Sequence, residues 1–317
     1  MKIALDVMGG DHAPHEMVSG ALLFSATSPT EVLLVGQEDV VAKELEGHEY
    51  DPARIKIVNA SQVMGMDEPV TALRKKQDSS IVVATRLVKE GKADAIVSCG
   101  STAAQMAAAT LILGRIEGIE RPPIVAMLPG LQGKNVLLLD VGANVDCKPS
   151  QLVQFARVGR VYSSILTGNE NPRVGLLNNG EEEGKGNSLS LETHALLKTS
   201  PELNFVGNIE GRDLFFGKCD VAVCDGFVGN LILKSLEGLA MLIGAACQQE
   251  LGQMPKFFQQ FDHSKAGGAP LLGIKGVSVV CHGSSKRAAV CNGIRIAEQC
   301  ARRDMVGAQM LALQGTL

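Results

Sequence analysis

The stretch Asn135-Val136-Leu137-Leu138-Leu139-Asp140-Val141-Gly142-Ala143-Asn144-Val145-Asp146 sets the fold. Four apolar residues follow one another with no polar alternation, so a strand here is buried on both faces. That is the habit of a parallel sheet covered by helices. The run ends in an acid and a Gly-Ala-Asn turn, after which a helical pattern starts at Pro149. The same strand, polar turn, helix order recurs along the chain. Strands are expected at 2–7, 31–35, 54–58, 93–98, 124–128, 135–141, 173–177, 204–206, 220–225 and 277–281. Helices are expected at 14–26, 80–90, 102–113, 149–166, 189–197, 229–250 and 284–313. This alternation predicts an α/β fold with a largely parallel sheet between helical layers.

With 317 residues, either two lobes or one large α/β unit is allowed. Apolar residues make up 45% and charged residues 20%, which excludes a disordered chain. The 35 glycines follow no G-X-Y period and fit tight strand-to-helix turns. No tryptophan is present, so the core is expected from Leu, Ile, Val, Ala and Met. Thirty basic against 34 acidic residues give a net charge of −4, which argues against a nucleic-acid partner. The amino terminus meets Asp6 before an apolar run forms and reads as no signal peptide. The unbroken apolar stretches 106–113 and 239–247 fall short of the ~18 residues of a membrane span, so no integral membrane protein is expected. Eight cysteines form no C-x-x-C pair and read as small buried residues of a reducing cytosol.

In open α/β folds, ligands sit beyond the carboxyl ends of strands, so the loops there hold the candidate residues. Strand 2–7 runs into Gly9, Gly10 and Asp11, strand 93–98 into Gly100, Ser101 and Thr102. A Gly-Ser-Thr turn opening a helix offers N–H groups and hydroxyls to an anion, although helix capping uses the same residues. Strand 135–141 leads to Asn144. Strand 173–177 leads to a polar loop with Lys185 between Gly184 and Gly186, followed by Asn187. Strand 220–225 ends at Asp225 ahead of Gly226-Phe227-Val228-Gly229-Asn230, and strand 277–281 ends ahead of His282-Gly283-Ser284-Ser285. Dinucleotide, Walker A and G-x-S-x-G patterns fail. His12 and His15 with Asp11 lack a third metal ligand. No metal and no cofactor is expected.

Taken together, Asp6-Val7-Met8-Gly9-Gly10-Asp11, Leu139 to Asp146, Gly175-Leu176-Leu177-Asn178 with Gly180-Glu181-Glu182, and Lys185-Gly186-Asn187 resemble the bacterial phosphate acyltransferases of phospholipid synthesis. So do Gly207-Asn208 with Gly211-Arg212-Asp213, Asp225 to Asn230, Gly267-Gly268-Ala269 and His282-Gly283-Ser284-Ser285. The resemblance runs from residue 2 to about 300. It implies a single acyltransferase domain over 1–317, in which two lobes flanking an active-site cleft are allowed. The implied fold is a three-layer α/β/α sandwich of the isopropylmalate-dehydrogenase-like type, related to phosphotransacetylases. The implied reaction moves a fatty acyl group from acyl carrier protein to inorganic phosphate. A homodimer in the cytoplasm, peripheral to the inner membrane face, is implied too, with contact to the membrane acyltransferase of the same pathway. Where the family has Ser-Ala-Gly-Asn-Thr-Gly-Ala, this chain reads Ser98-Cys99-Gly100-Ser101-Thr102-Ala103-Ala104. The hairpin that many members carry after residue 238 is compact here, with Phe257, Phe258 and Phe261 near Lys256. That group is expected either as a membrane-touching tip or as a satellite core cluster.

Phosphate is itself a competent nucleophile, so the site need only hold the dianion against a thioester and stabilise the oxyanion. Phosphate holding is assigned to Lys185, Ser101, Thr102 and the Gly9-Gly10 backbone, with Asp11, Gly100 and Asn187 nearby. Asn230 and Asn144 are the carbonyl and oxyanion candidates. His282 is either a proton donor toward the leaving thiol or a residue that orients Asp225. An acidic carrier needs local cations, for which Arg74-Lys75-Lys76 and Arg302-Arg303 are the candidates. The rival readings are a same-fold NAD- and metal-dependent decarboxylating dehydrogenase and a non-catalytic scaffold of lipid synthesis.

Overall fold

The computed structural model describes residues 1–253, 255, 257 and 267–314. In chain order, the strands are β1 (Lys2–Asp6), β2 (Glu31–Gly36), β3 (Ile55–Asn59), β4 (Ala95–Ser98), β5 (Val125–Leu128), β6 (Val136–Leu139), β7 (Arg173–Leu177), β8 (Asn204–Ile209), β9 (Val221–Val223), β10 (Ala269–Pro270) and β11 (Val277–Val280). The helices are α1 (His15–Ser25), α2 (Glu38–Leu45), α3 (Ser80–Lys89), α4 (Thr102–Ala108), α5 (Pro149–Thr167), α6 (Ser188–Lys198), α7 (Gly226–Leu251), α8 (Arg287–Arg302) and α9 (Met305–Gln314). They fall into two compact units, Met1–Gly114 with His263–Val306, and Arg115–Asp262 with Gly307–Leu317.

The first unit holds a six-stranded sheet in the order β10-β11-β4-β1-β2-β3, parallel except for the β10 edge. Period-2 alternation divides its side chains between two helical layers. Ala4, Leu33, Val35 and Ile96 pack with Ile81, Val82 and Ala84 of α3 and Ala104 and Ala108 of α4. Intervening residues such as Val97 point to the opposite layer. There an added Cβ on Gly293 of α8 would lie in ordinary contact with Val97, at 3.5 Å, but only 2.5 Å from Cys281 Sγ. Gly20 of α1 lies similarly tight on α8, where an added Cβ would stand 2.6 Å from Val290. The inner strands β1, β4 and β11 are thus buried on both faces, as their apolar runs require, whereas the edge strand β3 is only partly buried.

The second unit holds a five-stranded sheet, β5-β6-β9-β7-β8, parallel except for the β5 edge. Helix α5 lies on β6, β9 and β7. Gly159 lets it approach Leu139 and Val221, because an added Cβ would stand 3.0 Å from each.

Four local differences from the sequence reading have physical causes. Helix α2 was not expected, because it is short and buries only Val41 and Leu45. The helix expected over 284–313 is two helices, broken where Asp304 takes φ +46. Helix α4 ends in a π turn at Ala109–Leu113. Helix α7 starts three residues early because Asp225 caps it, accepting from the Val228 N–H at 2.9 Å. At 26 residues, α7 is long and apolar enough to cross a membrane by length and composition. The sequence expectation rested on unbroken apolar runs, whereas α7 contains Lys234 and Glu237, which pair with each other at 2.9 Å. Of the aromatic group expected near Lys256, only Phe257 lies among the described residues.

Candidate active site

In the first unit the carboxyl ends of β1, β4 and β11 gather one cluster. Asp6 is buried at the end of β1 and accepts from the Ser98 hydroxyl at 2.7 Å and the Met8 N–H at 3.2 Å. Burial raises its carboxyl above the ordinary 3.8, against the pull of those hydrogen bonds. Ser98 in turn accepts from the Gly100 N–H at 3.0 Å. The backbones at Gly9 and Gly100 touch: a Cβ on Gly9 would lie 2.7 Å from Asp6 Oδ2 and 2.9 Å from Gly100 Cα. These two glycines therefore fasten one loop to the other, with the Gly9 amide turned toward Asp6. Gly10 turns at φ +114, a conformation that suits glycine.

Beside them, Asp11 donates its N–H to the Gly283 carbonyl at 2.8 Å. Its carboxylate is exposed and its N–H is committed to Gly283, so Asp11 fastens the two loops and offers no donor to an anion. Ser101 stands at the N-cap of α4 without making a side-chain cap bond. Among the described residues, the hydroxyls of Ser101 and Thr102 have no hydrogen-bond partner, so capping does not account for them. His282 is exposed, and its Nδ1 accepts from the Ser284 N–H at 3.2 Å with the Ser284 hydroxyl 2.8 Å away. An accepting Nδ1 puts the proton of the neutral ring on Nε2. His15 instead turns to Glu44 at 3.0 Å.

In the second unit, the loop after β6 is built around Asp140, which is fully buried. Its Oδ1 accepts from the Ile124 N–H at 3.0 Å and the Ala143 N–H at 3.1 Å. Its Oδ2 accepts from the Asn144 N–H at 2.6 Å and the Asn144 amide at 2.9 Å. Burial still raises its carboxyl above the ordinary value. The amide of Asn144 also donates to the Pro122 carbonyl at 3.0 Å. Asn144, expected as an oxyanion donor, is buried with its amide hydrogens directed inward. It orders the loop rather than reaching a ligand.

Helix α7 begins against this loop. A Cβ on Gly229 would overlap the Asp140 carbonyl oxygen, and one on Gly226 would lie 2.6 Å from the Asn144 carbonyl. This explains the two glycines of Asp225-Gly226-Phe227-Val228-Gly229-Asn230, and Asp225 is the helix cap. Asn230, one residue on, sits over Gly142, whose φ is +128. Its amide is exposed and has no hydrogen-bond partner among the described residues.

The polar loop after β7 is held from inside. Asn178 donates its amide to the Lys185 carbonyl at 3.0 Å, and Asn208 of β8 donates to the Glu182 carbonyl at 2.9 Å. Asn187 caps α6, its Oδ1 accepting from the Ser190 N–H at 2.9 Å. It is an anchor of the loop, where the sequence suggested a phosphate contact. Glu181 pairs with Lys218 at 2.8 Å and Glu183 with Lys198 at 2.7 Å. The acidic run therefore engages other lysines, and among the described residues nothing engages the exposed Lys185 ammonium. The sequence reading missed Ser98, Asn178 and Asn208 as supports. Each sits at or next to a strand end, where neither a lone serine after an apolar run nor an asparagine in a polar turn carries a mark of its partner.

The chain matches the family described as fatty acid synthesis protein over residues 1–307. It is 59% identical over 315 residues to a phosphate acyltransferase of Syntrophomonas wolfei, covering 99% of this chain and 98% of the relative. A phosphate acyltransferase of Desulforamulus reducens is 52% identical, covering 97% and 96%. Among solved structures, the EutD phosphotransacetylase of Staphylococcus aureus superposes with a TM-score of 0.61 at 18% identity, covering 99% of this chain and 94% of that one. That last likeness concerns the fold, an α/β architecture with mostly parallel sheets.

Proposed function

From the premise that this chain belongs to the phosphate acyltransferase family, and so is an acyl-transferring enzyme, we propose that its donor is fatty acyl-[acyl carrier protein] and its acceptor inorganic phosphate. The product is acyl phosphate, an activated acyl group for phospholipid synthesis. A phosphate oxygen attacks the thioester carbonyl carbon, the tetrahedral oxyanion collapses, and the carbon–sulfur bond breaks. The carrier leaves as thiolate and takes up one proton. The enzyme works in the cytoplasm as a homodimer, peripheral to the inner membrane face and in contact with the membrane acyltransferase of the pathway.

In the second unit Lys185 is the phosphate-binding cation; in the first unit the Ser101 and Thr102 hydroxyls and the Gly10 backbone are the phosphate contacts. Asn230 donates to the developing oxyanion, because its amide is exposed on the first turn of α7 over a glycine turn. His282 Nε2–H donates a hydrogen bond to the leaving sulfur, and the proton that the thiolate takes up is the one that the attacking hydrogen phosphate gives up. Asp11, Gly9, Gly100, Asn144, Asp225 and Asn187 are positioning residues that fix these loops. The observation that carries the reading is the Lys185 ammonium, unpaired among the described residues although Glu181 and Glu183 nearby pair with Lys218 and Lys198. Leaving a cation unpaired there favours an incoming anion.

The test traps acyl phosphate with hydroxylamine while phosphate is varied. Lys185→Ala is expected to cut turnover on the order of 100-fold or more and to raise the KM for phosphate, while Lys185→Arg retains part of the rate. Wild-type turnover in Lys185→Ala removes this lysine from the mechanism.

A further inference from the structure

An acidic carrier that docks on a protein of net charge −4 depends on local cations. Three segments offer adjacent cations, Arg74-Lys75-Lys76, Lys286-Arg287 and Arg302-Arg303; among the described residues no large apolar side chain is exposed beside the second, and side-chain partners separate the other two. Arg302 is bound to Glu298 at 3.0 Å and to Thr30 at 3.3 Å, and Arg303 is engaged as well. In the other segment Lys76 is clamped between Glu68 at 2.6 Å and the Val63 carbonyl at 2.7 Å. Glu68 also accepts from the Gly65 N–H at 3.1 Å, so this pair fixes the shape of the segment. Arg74 and Lys75 are different. Both are exposed, and among the described residues neither side chain has an ion-pair or hydrogen-bond partner.

The same segment exposes two apolar side chains, Met66 at 40% and Val70 at 38%. Exposed methionine beside arginine is the composition of a docking surface more than of a solvated one. The segment also borders the first-unit cluster. A side chain on Gly283 would meet Met66 Cε at 2.8 Å and the Asp11 carboxylate at 3.4 Å. The 3-10 turn Val70–Arg74 packs on α4, whose first residues are Ser101 and Thr102.

We propose that Met66, Val70, Arg74 and Lys75 form the docking surface for the acidic carrier protein that delivers the acyl thioester. The proposal rests on the carrier-protein reading above. Lys76 shapes the surface through Glu68, and Arg302 and Arg303 take no part. Since Arg74 and Lys75 hold nothing in the fold, reversing their charge leaves folding unchanged.

The experiment compares the wild-type chain, Arg74→Glu/Lys75→Glu and a control of equal charge change, Lys43→Glu/Lys275→Glu. The initial rate of acyl phosphate formation is measured from palmitoyl-[acyl carrier protein], and binding of fluorescent holo-carrier by anisotropy. In the double variant, kcat/KM for the carrier substrate is expected to fall on the order of tenfold at low salt through KM, with the phosphate KM and the thermal midpoint unchanged. The salt sensitivity seen in the wild type should disappear, and the control should behave as wild type. An unchanged KM and salt profile in the double variant, or an equal fall in the control, overturns the docking surface. A wild type that binds the carrier but transfers nothing to phosphate refutes the function reading alone; the docking surface is then judged by anisotropy. Failure of the wild type to bind the carrier overturns both.

Discussion

Replacing Asp140 by asparagine tests how the second-unit loop is held. The carboxylate accepts four hydrogen bonds, two on each oxygen, in a place with no exposed surface. Asparagine keeps one acceptor and turns an NH2 toward the other pair of donors. If the NH2 takes the Oδ1 position, the Ile124 and Ala143 amides lose their acceptor. If it takes the Oδ2 position, both Asn144 donors do. A rotation of Asn144 gives no relief, because its amide also serves the Pro122 carbonyl. Two buried donors left unsatisfied cost about 1–3 kcal/mol each, so about 2–6 kcal/mol in sum. Relief of the burial penalty that raises the Asp140 carboxyl offsets part of this and leaves about 1–4 kcal/mol. That is a large share of the ~5–15 kcal/mol of a typical domain. Tryptophan is absent, so the assay is thermal and urea unfolding by far-ultraviolet circular dichroism, with hydrogen exchange of peptides covering 120–147. Faster exchange at Ile124, Ala143 and Asn144 and a lower midpoint are expected, with reduced turnover because Asn230 loses its seat over Gly142. A variant within about 0.5 kcal/mol of wild type and with unchanged exchange would refute this account of the loop.

Gly229→Ala drives a methyl into the Asp140 carbonyl and should cost about 1–3 kcal/mol or more. Gly238→Ala, later in α7 with open space around it, should be neutral or stabilising by up to about 1 kcal/mol. Equal midpoints for the two would contradict the packing of α7 on the loop. Asp220 pairs with Arg173 through Nε at 3.1 Å and Nη2 at 2.9 Å. Burial opposes its charge, but Arg173 outweighs burial and holds the carboxyl below the ordinary 3.8. Asp220→Asn should therefore lower stability by about 1–2 kcal/mol at every pH above 3.8. The difference should shrink as pH falls through the depressed folded value and vanish below it. A difference that instead grows in acid would show the sign to be wrong.

Much of the fold is legible in the sequence, because strands such as 2–7, 93–98 and 135–141 carry unbroken apolar runs at 3–5, 95–97 and 136–139 and lead into Gly-containing polar turns. Strand direction is not legible. The antiparallel edges β5 and β10 are short, and nothing in Val125–Leu128 or Ala269–Pro270 distinguishes them from parallel neighbours. The polar loops of the candidate site are equally visible, but the division of labour within them is not. Asn187 reads as a phosphate contact and Asp225 as a catalytic residue, yet each caps a helix; Asx side chains serve backbone amides and ligands with the same atoms. Asn144 and Asn230 look alike in sequence, and only the burial of one and the exposure of the other assign them. Lys185 lies in an acidic run that suggests neutralisation. Its isolation appears only once Lys218 and Lys198 are seen to engage the glutamates.

Phosphorus-31 NMR of the purified protein with palmitoyl-[acyl carrier protein] and inorganic phosphate tests the central claim most directly, because it separates transfer to phosphate from transfer to water. The account predicts an acyl phosphate resonance that grows in step with free carrier thiol and is lost in Lys185→Ala. Thiol release without that resonance would mean hydrolysis of the thioester, and would contradict the assignment of phosphate as the acceptor.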